Sequence, residues 1–255
     1  MMQEDNLKDD VLLIADVGRS AQGWLSFMLS YILNARYVEP YALMAGSTYT
    51  QSSIIKENTS GRLPGRAPTR YAVVAKTHEF PSSQFNLTRS VIYLTRDPRD
   101  VAVSMYYLNR NRWNSGQRGF GFFLQTRRGA GDYMLGKRWA SHVRAWLAIT
   151  PFHVRYEDLR HDTAGTLVRI LEHLSVEASP EIIQEAIDVF SYENTYGRKR
   201  GVEVVTDGEA RKGIIGDYRN HFTEFSNKMF WRVCGREAEL AGYRLDGTTT
   251  VEPTA

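Results

Sequence analysis

Residues 11–34 read "VLLIADVGRSAQGWLSFMLSYILN". The run from Val11 to Val17 is apolar almost throughout, the pattern of a short strand buried on both faces. The turn "GRSAQG" follows, and an apolar helix then runs from about Trp24 to Asn34. Strand, glycine-bearing turn and helix in that order have the layout of a phosphate-binding loop. Backbone N–H groups of the turn and of the helix N-terminus converge there on an anion. Gly18, Ala21 and Gly23 let the backbone approach closely, Arg19 adds charge and Ser20 a hydroxyl. The nucleotide-triphosphatase pattern G-x-x-x-x-G-K-[ST] is not met, because Trp24 and Leu25 follow Gly23. An ordinary strand–helix connection reads much the same way, so this unit alone leaves both readings open.

Further strands alternate with helices along the chain. Ala72 to Ala75 form a second buried run within "YAVVAKTHEF" (71–80), and "SVIYLTR" (90–96) a third, closed by "DPRD". In that closure Asp97 can cap a helix, Pro98 suits its first turn, and "VAVSMYYL" supplies its apolar face. A helix "GKRWASHVRAWLAI" precedes a strand "FHVRYEDL" (152–159), and helices follow at about 163–174, 180–190 and 223–241. The alternation predicts one α/β domain over 11–245, with a central, mainly parallel sheet flanked by helices. Residues 1–10 read as an N-terminal tail and 246–255 as a flexible C-terminal tail. Segments 37–70, 109–131 and 197–218 lack clear periodicity and read as loops or lids. The second of these mixes Arg, aromatic residues and Gly, which suits a lid over an anionic ligand or an RNA-binding patch.

With 42% hydrophobic and 12% aromatic residues the chain can bury a substantial core, and a net charge of +3 is too small to indicate a nucleic-acid binder. Cys234 is the only cysteine, which excludes an internal disulfide and fits a reducing compartment. The polar start has no signal-peptide core, and no uncharged run approaches the ~20 residues of a spanning helix. A soluble, cytoplasmic protein is expected, in which the glycosylation-like triplets at Asn58 and Asn86 carry no meaning.

Three sets of residues carry chemistry. Lys76 and His78 project to the same side at the carboxyl end of a buried strand, where open α/β sheets bind ligands. Arg96 ends the next strand and leads to Ser104 on the following helix, and both can donate to one phosphate. A local ion pair of Arg96 with Asp97 or Asp100 is equally compatible. In "EARKGIIGDY", Arg211 and Lys212 precede Gly213, which suits either a flexible clamp over an anion or a solvated basic loop. If the three sets converge with the first turn, they describe a ligand with two phosphate positions. The remaining histidines, 142, 153, 161, 173 and 221, have no paired cation at a strand end and read as core or surface groups.

Over roughly residues 11–240 these pieces, in this order, resemble the soluble sulfotransferases that use 3′-phosphoadenosine 5′-phosphosulfate (PAPS). "GRSAQGWL" is similar to that family's 5′-phosphosulfate loop, "YLTRDPRDVAVSMYY" to its 3′-phosphate motif and "KTH" to its catalytic pair. "VRYEDL" and "RKGIIGDYRNHFT" resemble its adenine strand and its C-terminal clamp. The resemblance implies a P-loop-like turn in which Arg19, Ser20, Ala21, Gln22 and Gly23 meet the phosphosulfate. It also implies adenine between Trp24 and Tyr192 with Tyr156 at its edge, and a 3′-phosphate held by Arg96, Ser104, Arg211, Lys212 and Gly213. Where the family's loop reads Ser-Gly-Thr-Thr-Trp, this chain has Ser20-Ala21-Gln22-Gly23-Trp24, so two hydroxyl donors are absent. "RNHFTEFSNK" departs from the family's dimerisation stretch at Arg219, Glu224 and Lys228, and implies no particular oligomer.

Sulfuryl transfer is an in-line displacement, so positioning and charge stabilisation dominate. His78 is expected to take the proton of the acceptor hydroxyl, and Lys76 to stabilise the leaving phosphate oxygen of the product 3′-phosphoadenosine 5′-phosphate (PAP). No metal is implied. Two rival classes are a P-loop-like nucleoside or small-molecule kinase, which lacks its lysine loop and magnesium carboxylates here, and an RNA-binding protein. The expected acceptor is a small molecule with a hydroxyl or amine, and neither nucleic acid nor membrane is a partner. Its pocket is placed in 37–70 and 109–138, with Tyr37, Tyr41, Phe80, Trp113, Phe120, Phe122 and Phe123 favouring an apolar guest. Arg110, Arg112 and Arg118 leave room for an acidic one.

Overall fold

The computed structural model describes residues 9–38, 69–81, 88, 90–112, 119–125, 134–150, 152–202 and 211–249. Strands β1 (Val11–Ala15), β2 (Arg36–Val38), β3 (Val73–Thr77), β4 (Ser90–Thr95) and β5 (His153–Arg155) form one sheet in the order β2-β3-β1-β4-β5. Every pairing in it is parallel. The expected mainly parallel sheet is thus parallel throughout among the described strands. It includes an edge strand, β2, in a stretch whose sequence reads as loop from residue 37.

Helices cover both faces, as buried parallel strands require. Leu12, Ile14, Val74, Ile92 and Leu94 face α1 (Gln22–Ile32), α6 (Thr163–His173) and α7 (Pro180–Val189). Leu13, Ala15, Ala75 and Tyr93 face the other layer. That layer contains α2 (Pro98–Arg112), α3 (Phe120–Gln125), α4 (Met134–Leu147) and α9 (Glu224–Leu240), with Trp139 and Phe230 buried in it. Two short helices, α5 (Tyr156–His161) and α8 (Tyr192–Tyr196), and a 3-10 turn at Asp217–Asn220 complete the described elements.

The structure corrects several boundaries. Helix α1 starts at Gln22, two residues before Trp24. The strand expected over 152–159 stops at Arg155, and Tyr156 already opens α5. Arg155 clasps Asp158 through bonds of 2.7 and 2.9 Å, while Glu157 and Asp158 complement the helix N-terminus. The tail expected from Asp246 is ordered over its first four residues. Arg244 N–H bonds to Thr248 O (3.0 Å), and Tyr243 bridges Thr249.

The "DPRD" closure works as anticipated at the helix start, since the Asp97 carboxylate accepts from Arg99 N–H at 2.9 Å. It also forms a lock the sequence did not disclose. The fully buried Arg99 guanidinium pairs with Asp97 (2.7 Å), donates to Leu245 O and Arg244 O, and stacks between Tyr218 and Trp231. One helix start thereby ties the C-terminal segment to the sheet.

Candidate active site

The carboxyl ends of β1, β3 and β4 open onto one cavity of roughly 630 Å³. Fourteen of the fifteen residues singled out in the sequence line it; Ser20 does not. The three basic sets, separate in sequence, therefore converge.

In the turn after β1, Gly18, Arg19 and Ala21 have positive φ (97°, 66° and 66°). Left-handed residues interrupted by Ser20 produce the backbone pattern that gathers N–H groups into an anion-binding concavity. No acidic residue occupies the first turn of α1 and no side chain caps it, so that helix start presents free N–H groups beside the cavity. Two side chains of the turn depart from their expected contacts. The Ser20 hydroxyl is fully buried off the cavity, and Ser20 N–H instead donates to Asp16 Oδ2 at 3.2 Å. The Gln22 amide donates to Ile14 O (2.5 Å) and Thr77 O (2.9 Å), bracing β1 against β3. Arg19 also lines the cavity, and its Nε donates to Ser104 Oγ at 2.9 Å.

Arg96 links the turn to the C-terminal loop. Its guanidinium donates to Arg19 O (3.2 Å) and Ile214 O (3.0 Å), lies 3.6 Å from Asp100, and stacks 4.6 Å from the Tyr156 ring centroid. The Asp100 ion pair proposed from sequence is present, yet Arg96 still lines the cavity. Arg96 Nε is buried without a hydrogen-bond partner among the described residues.

Four hydrogen bonds with Tyr192, Tyr156 and Asp100 hold the loop at 211–218. Tyr192 Oη donates to Arg211 O and Tyr156 Oη to Gly213 O, both at 3.2 Å. Asp100 accepts from Gly216 N–H (2.7 Å) and Tyr218 N–H (2.9 Å). Gly213 has φ 65°, and a Cβ there would stand 2.7 Å from the Tyr192 ring, so this close approach requires glycine. Arg211 and Lys212 both pair with the buried Asp217, the latter at 3.3 Å. Tyr156 thus contacts the clamp from the start of a helix rather than from a strand.

Trp24 and Tyr192, the expected stacking pair, both line the cavity. Trp24 is fixed by its indole N–H on Phe190 O at 2.8 Å. The planar guanidinium of Arg200 lies 5.1 Å from the Trp24 ring and 4.8 Å from that of Tyr192. A flat π-bonded group thus stands by both rings, and Arg200 was not anticipated.

Lys76 and His78 both reach the cavity. Lys76 is buried, with its ammonium 5.9 Å from the Tyr37 ring centroid. His78 Nδ1 lies 2.5 Å from Asp16 Oδ1, a carboxylate with no solvent exposure beside an imidazole that is 48% exposed. Burial and the Lys76 charge oppose protonation of His78, but the Asp16 charge and hydrogen bond outweigh them and raise its pKa. Behind this pair, the fully buried His142 and Trp146 Nε1–H both bond to Glu79 O (3.1 and 2.9 Å), pinning the chain just after His78. Burial lowers the pKa of His142 to about 4, so it stays neutral.

Asp16 escaped the sequence reading, although a signal was available. β1 and β3 pair with Ala15 opposite Thr77, which places the next residues, 16 and 78, side by side. Of the aromatic residues expected to wall an acceptor pocket, the described ones, Tyr37, Phe80, Phe120, Phe122 and Phe123, do not line this cavity. Tyr37 packs on Phe27, Phe80 on His142, and Phe120 and Phe123 on Tyr106. Met105, Leu108 and Arg138 stand at the cavity instead. Tyr41, Trp113, Asn58, Asn86 and the side chains of Arg110, Arg112 and Arg118 lie outside the described residues, as do most of 37–70 and residues 203–210.

The family model of the sulfotransferase domain matches residues 9–243. Mouse sulfotransferase 2A2 is 28% identical over 93% of this chain and 86% of its own length. The 3-beta-hydroxysteroid sulfotransferase of Cavia porcellus is 26% identical over the same shares. Among solved structures, retinol dehydratase in complex with androsterone and the inactive cofactor PAP superposes with a TM-score of 0.64 at 21% identity, covering 93% of this chain and 83% of that one.

Proposed function

The chain belongs to the sulfotransferase family, and from that premise we propose that it moves a sulfonate group from PAPS to a hydroxyl of a small-molecule acceptor, leaving PAP. The observation that carries this reading is the convergence of Lys76 and His78 with two basic sets, around Arg19 and around Arg96 and Arg211, in one cavity. That arrangement supports a ligand with anionic groups at two places and a reacting centre between an ammonium and an imidazole. The uncapped α1 N-terminus, the Arg96 guanidinium at the cavity, the close approach at Gly213 and the Trp24 and Tyr192 rings lining the same cavity all suit a 3′,5′-substituted adenine nucleotide.

In this reading Arg19 and the N–H groups through Gly23 hold the 5′ end, with Ser20 acting through its backbone and Gln22 through the brace it provides. Arg96, Ser104, Arg211, Lys212 and Gly213 hold the 3′-phosphate, while Trp24, Tyr192 and Tyr156 flank the base. The bound donor supplies the sulfonate and a phosphate leaving group. Lys76 faces the charge that grows on that leaving oxygen, where a cation stabilises the transition state more than the ground state. His78 takes the acceptor proton through Nε2. The kinase alternative is disfavoured by Trp24 and Leu25, which stand where its lysine loop needs a cation and a hydroxyl. No helix among the described residues is long and apolar enough to cross a membrane. We place the reaction in the cytoplasm, on small acceptors rather than on nucleic acid.

The test is a panel of alcohols, phenols and amines incubated with PAPS and read by mass spectrometry. One sulfonate gained by an acceptor, with matching PAP formation, is expected. Phosphate transfer from ATP with magnesium, and none of sulfonate from PAPS, would reverse the assignment.

A further inference from the structure

We propose that Asp16 is a positioning residue of the transfer reaction: it holds His78 in the Nδ1–H tautomer, so that Nε2 accepts the proton of an aliphatic, weakly acidic hydroxyl. The inference rests on His78 as the base and adds its orienting partner and the class of acceptor that partner serves.

The geometry is that of a built dyad. Asp16 follows β1 directly, has no solvent exposure, and keeps both oxygens occupied, Oδ1 by His78 Nδ1 at 2.5 Å and Oδ2 by Ser20 N–H at 3.2 Å. A carboxylate only accepts hydrogen bonds, so Nδ1 must donate. The lone pair is then on Nε2, on the other side of the ring from Asp16. Asp16 N–H also bonds to Thr77 O at 3.1 Å, so the register of β1 and β3 sets the separation of the two side chains. The segment beyond His78 is fixed through Glu79 O by His142 and Trp146. The ring is therefore held at Nδ1 by Asp16, and the backbone just beyond it through Glu79 O.

This arrangement matters for the balance of the reaction. The hydroxyl oxygen bonds to sulfur as the bond from sulfur to the 5′-phosphate oxygen breaks, and that electron pair remains on the phosphate beside Lys76. The hydroxyl proton passes to Nε2, making an imidazolium whose charge Asp16 offsets at Nδ1. His78 is half exposed and can return the proton to water afterwards. A phenol with a pKa near that of tyrosine, ~10, needs little assistance to lose its proton, whereas an aliphatic alcohol, closer to water at ~15.7, needs a supported base. A buried carboxylate behind the imidazole is useful chiefly for the second class.

The other groups around the pair leave its titration readable. Lys76 on β3 opposes protonation of His78. His142 and Arg138 come from α4 and Tyr93 from β4. His142 is neutral above about pH 4, and burial pushes the Tyr93 hydroxyl far up.

Two measurements test the proposal. The first uses the unmodified chain with ¹⁵N-labelled histidine and bound PAP, and reads the His78 ring nitrogens by NMR against pH. The Nδ1–H tautomer is expected at neutral pH, with a midpoint above the ordinary histidine value. An Nε2–H tautomer would overturn the proposal with no acceptor needed. The second compares Asp16→Asn with His78→Ala, using PAPS with androsterone as the aliphatic alcohol and 2-naphthol as the phenol. Asp16→Asn should lower kcat on the alcohol by ~10²-fold or more, lower it less on the phenol, and move the acid limb of the pH profile to lower pH. If His78→Ala is inactive while Asp16→Asn keeps normal turnover and an unmoved profile, the dyad is wrong and the base stands. Near-normal turnover in His78→Ala would remove the base itself. Should androsterone and 2-naphthol both prove inert, or Asp16→Asn fail to fold, the tautomer measurement decides alone.

Discussion

Ala21→Gly should make the protein more stable, an unusual direction for a substitution in a ligand-binding turn. Ala21 sits at φ 66° and ψ 29°, immediately before α1. For an L-residue with a Cβ that conformation costs about 1–2 kcal/mol. Glycine adopts it freely but has more backbone freedom to lose, which offsets about 0.5–1 kcal/mol. The Ala21 methyl borders the cavity and is only partly buried, so its removal sacrifices little packing. At the middle of both ranges the net gain is about 0.75 kcal/mol, and for a chain of this size that raises the melting temperature by about 1.5–3 °C. Gly213→Ala provides the opposite control, because φ is again 65° but the added Cβ would meet the Tyr192 ring. Thermal unfolding of the ligand-free proteins, followed by circular dichroism, reads both. An Ala21→Gly protein that is equal to or less stable than the parent would refute the strain argument. So would a Gly213→Ala protein of unchanged stability.

Arg99→Ala removes the cation from a buried pair and leaves Asp97 uncompensated, so urea unfolding should show a loss of about 3–5 kcal/mol; a loss below ~1 kcal/mol would contradict the lock. His153 tests the pH dependence. Burial, reinforced by the Arg155 charge, lowers its pKa to about 4. Protons then bind the unfolded chain first, so the stability it contributes is full above about 6.5 and lost as pH falls toward about 4. His153→Gln should be less stable than the parent at neutral pH, where the 2.7 Å bond to Thr95 is made, and should close that gap as the solution is acidified. A gap that does not change with pH would dissociate His153 from the acid limb.

The parts of the fold written as long periodic runs were legible. β1, β3 and β4 are apolar stretches with polar ends, and α6, α7 and α9 announce themselves by amphipathic spacing. β2 spans only three residues, too few to show a period, and was absorbed into a loop. The turn into α5 depends on one Arg155–Asp158 clasp that interrupts an apparent strand. In the site, residue type was informative where a charged or titratable group ended a strand, as with Lys76, His78 and Arg96. For Ser20 and Gln22 the side-chain direction depends on the local turn, which residue type does not specify: the Ser20 hydroxyl is buried and the Gln22 amide braces β1 against β3. Asp16 and Asp217 were missed, and Asp100 was read only as a partner of Arg96, for a related reason. An acidic residue near a basic cavity looks incidental until strand register and loop closure show that it orients an imidazole, anchors a loop or pairs a clamp.

If one cavity grips two separate phosphates of an adenine nucleotide, calorimetric titration with PAP and with adenosine 5′-phosphate will separate the two ligands. The two ligands differ by the 3′-phosphate assigned to Arg96, Ser104, Arg211 and Lys212, which share the cavity. Two charge-assisted hydrogen bonds at about 1.5–3 kcal/mol each amount to at least ~3 kcal/mol, or roughly a hundredfold in Kd. PAP is predicted to bind at one site, at least that much more tightly, and Arg211→Ala should remove most of the difference. Equal affinities for the two nucleotides would contradict the account.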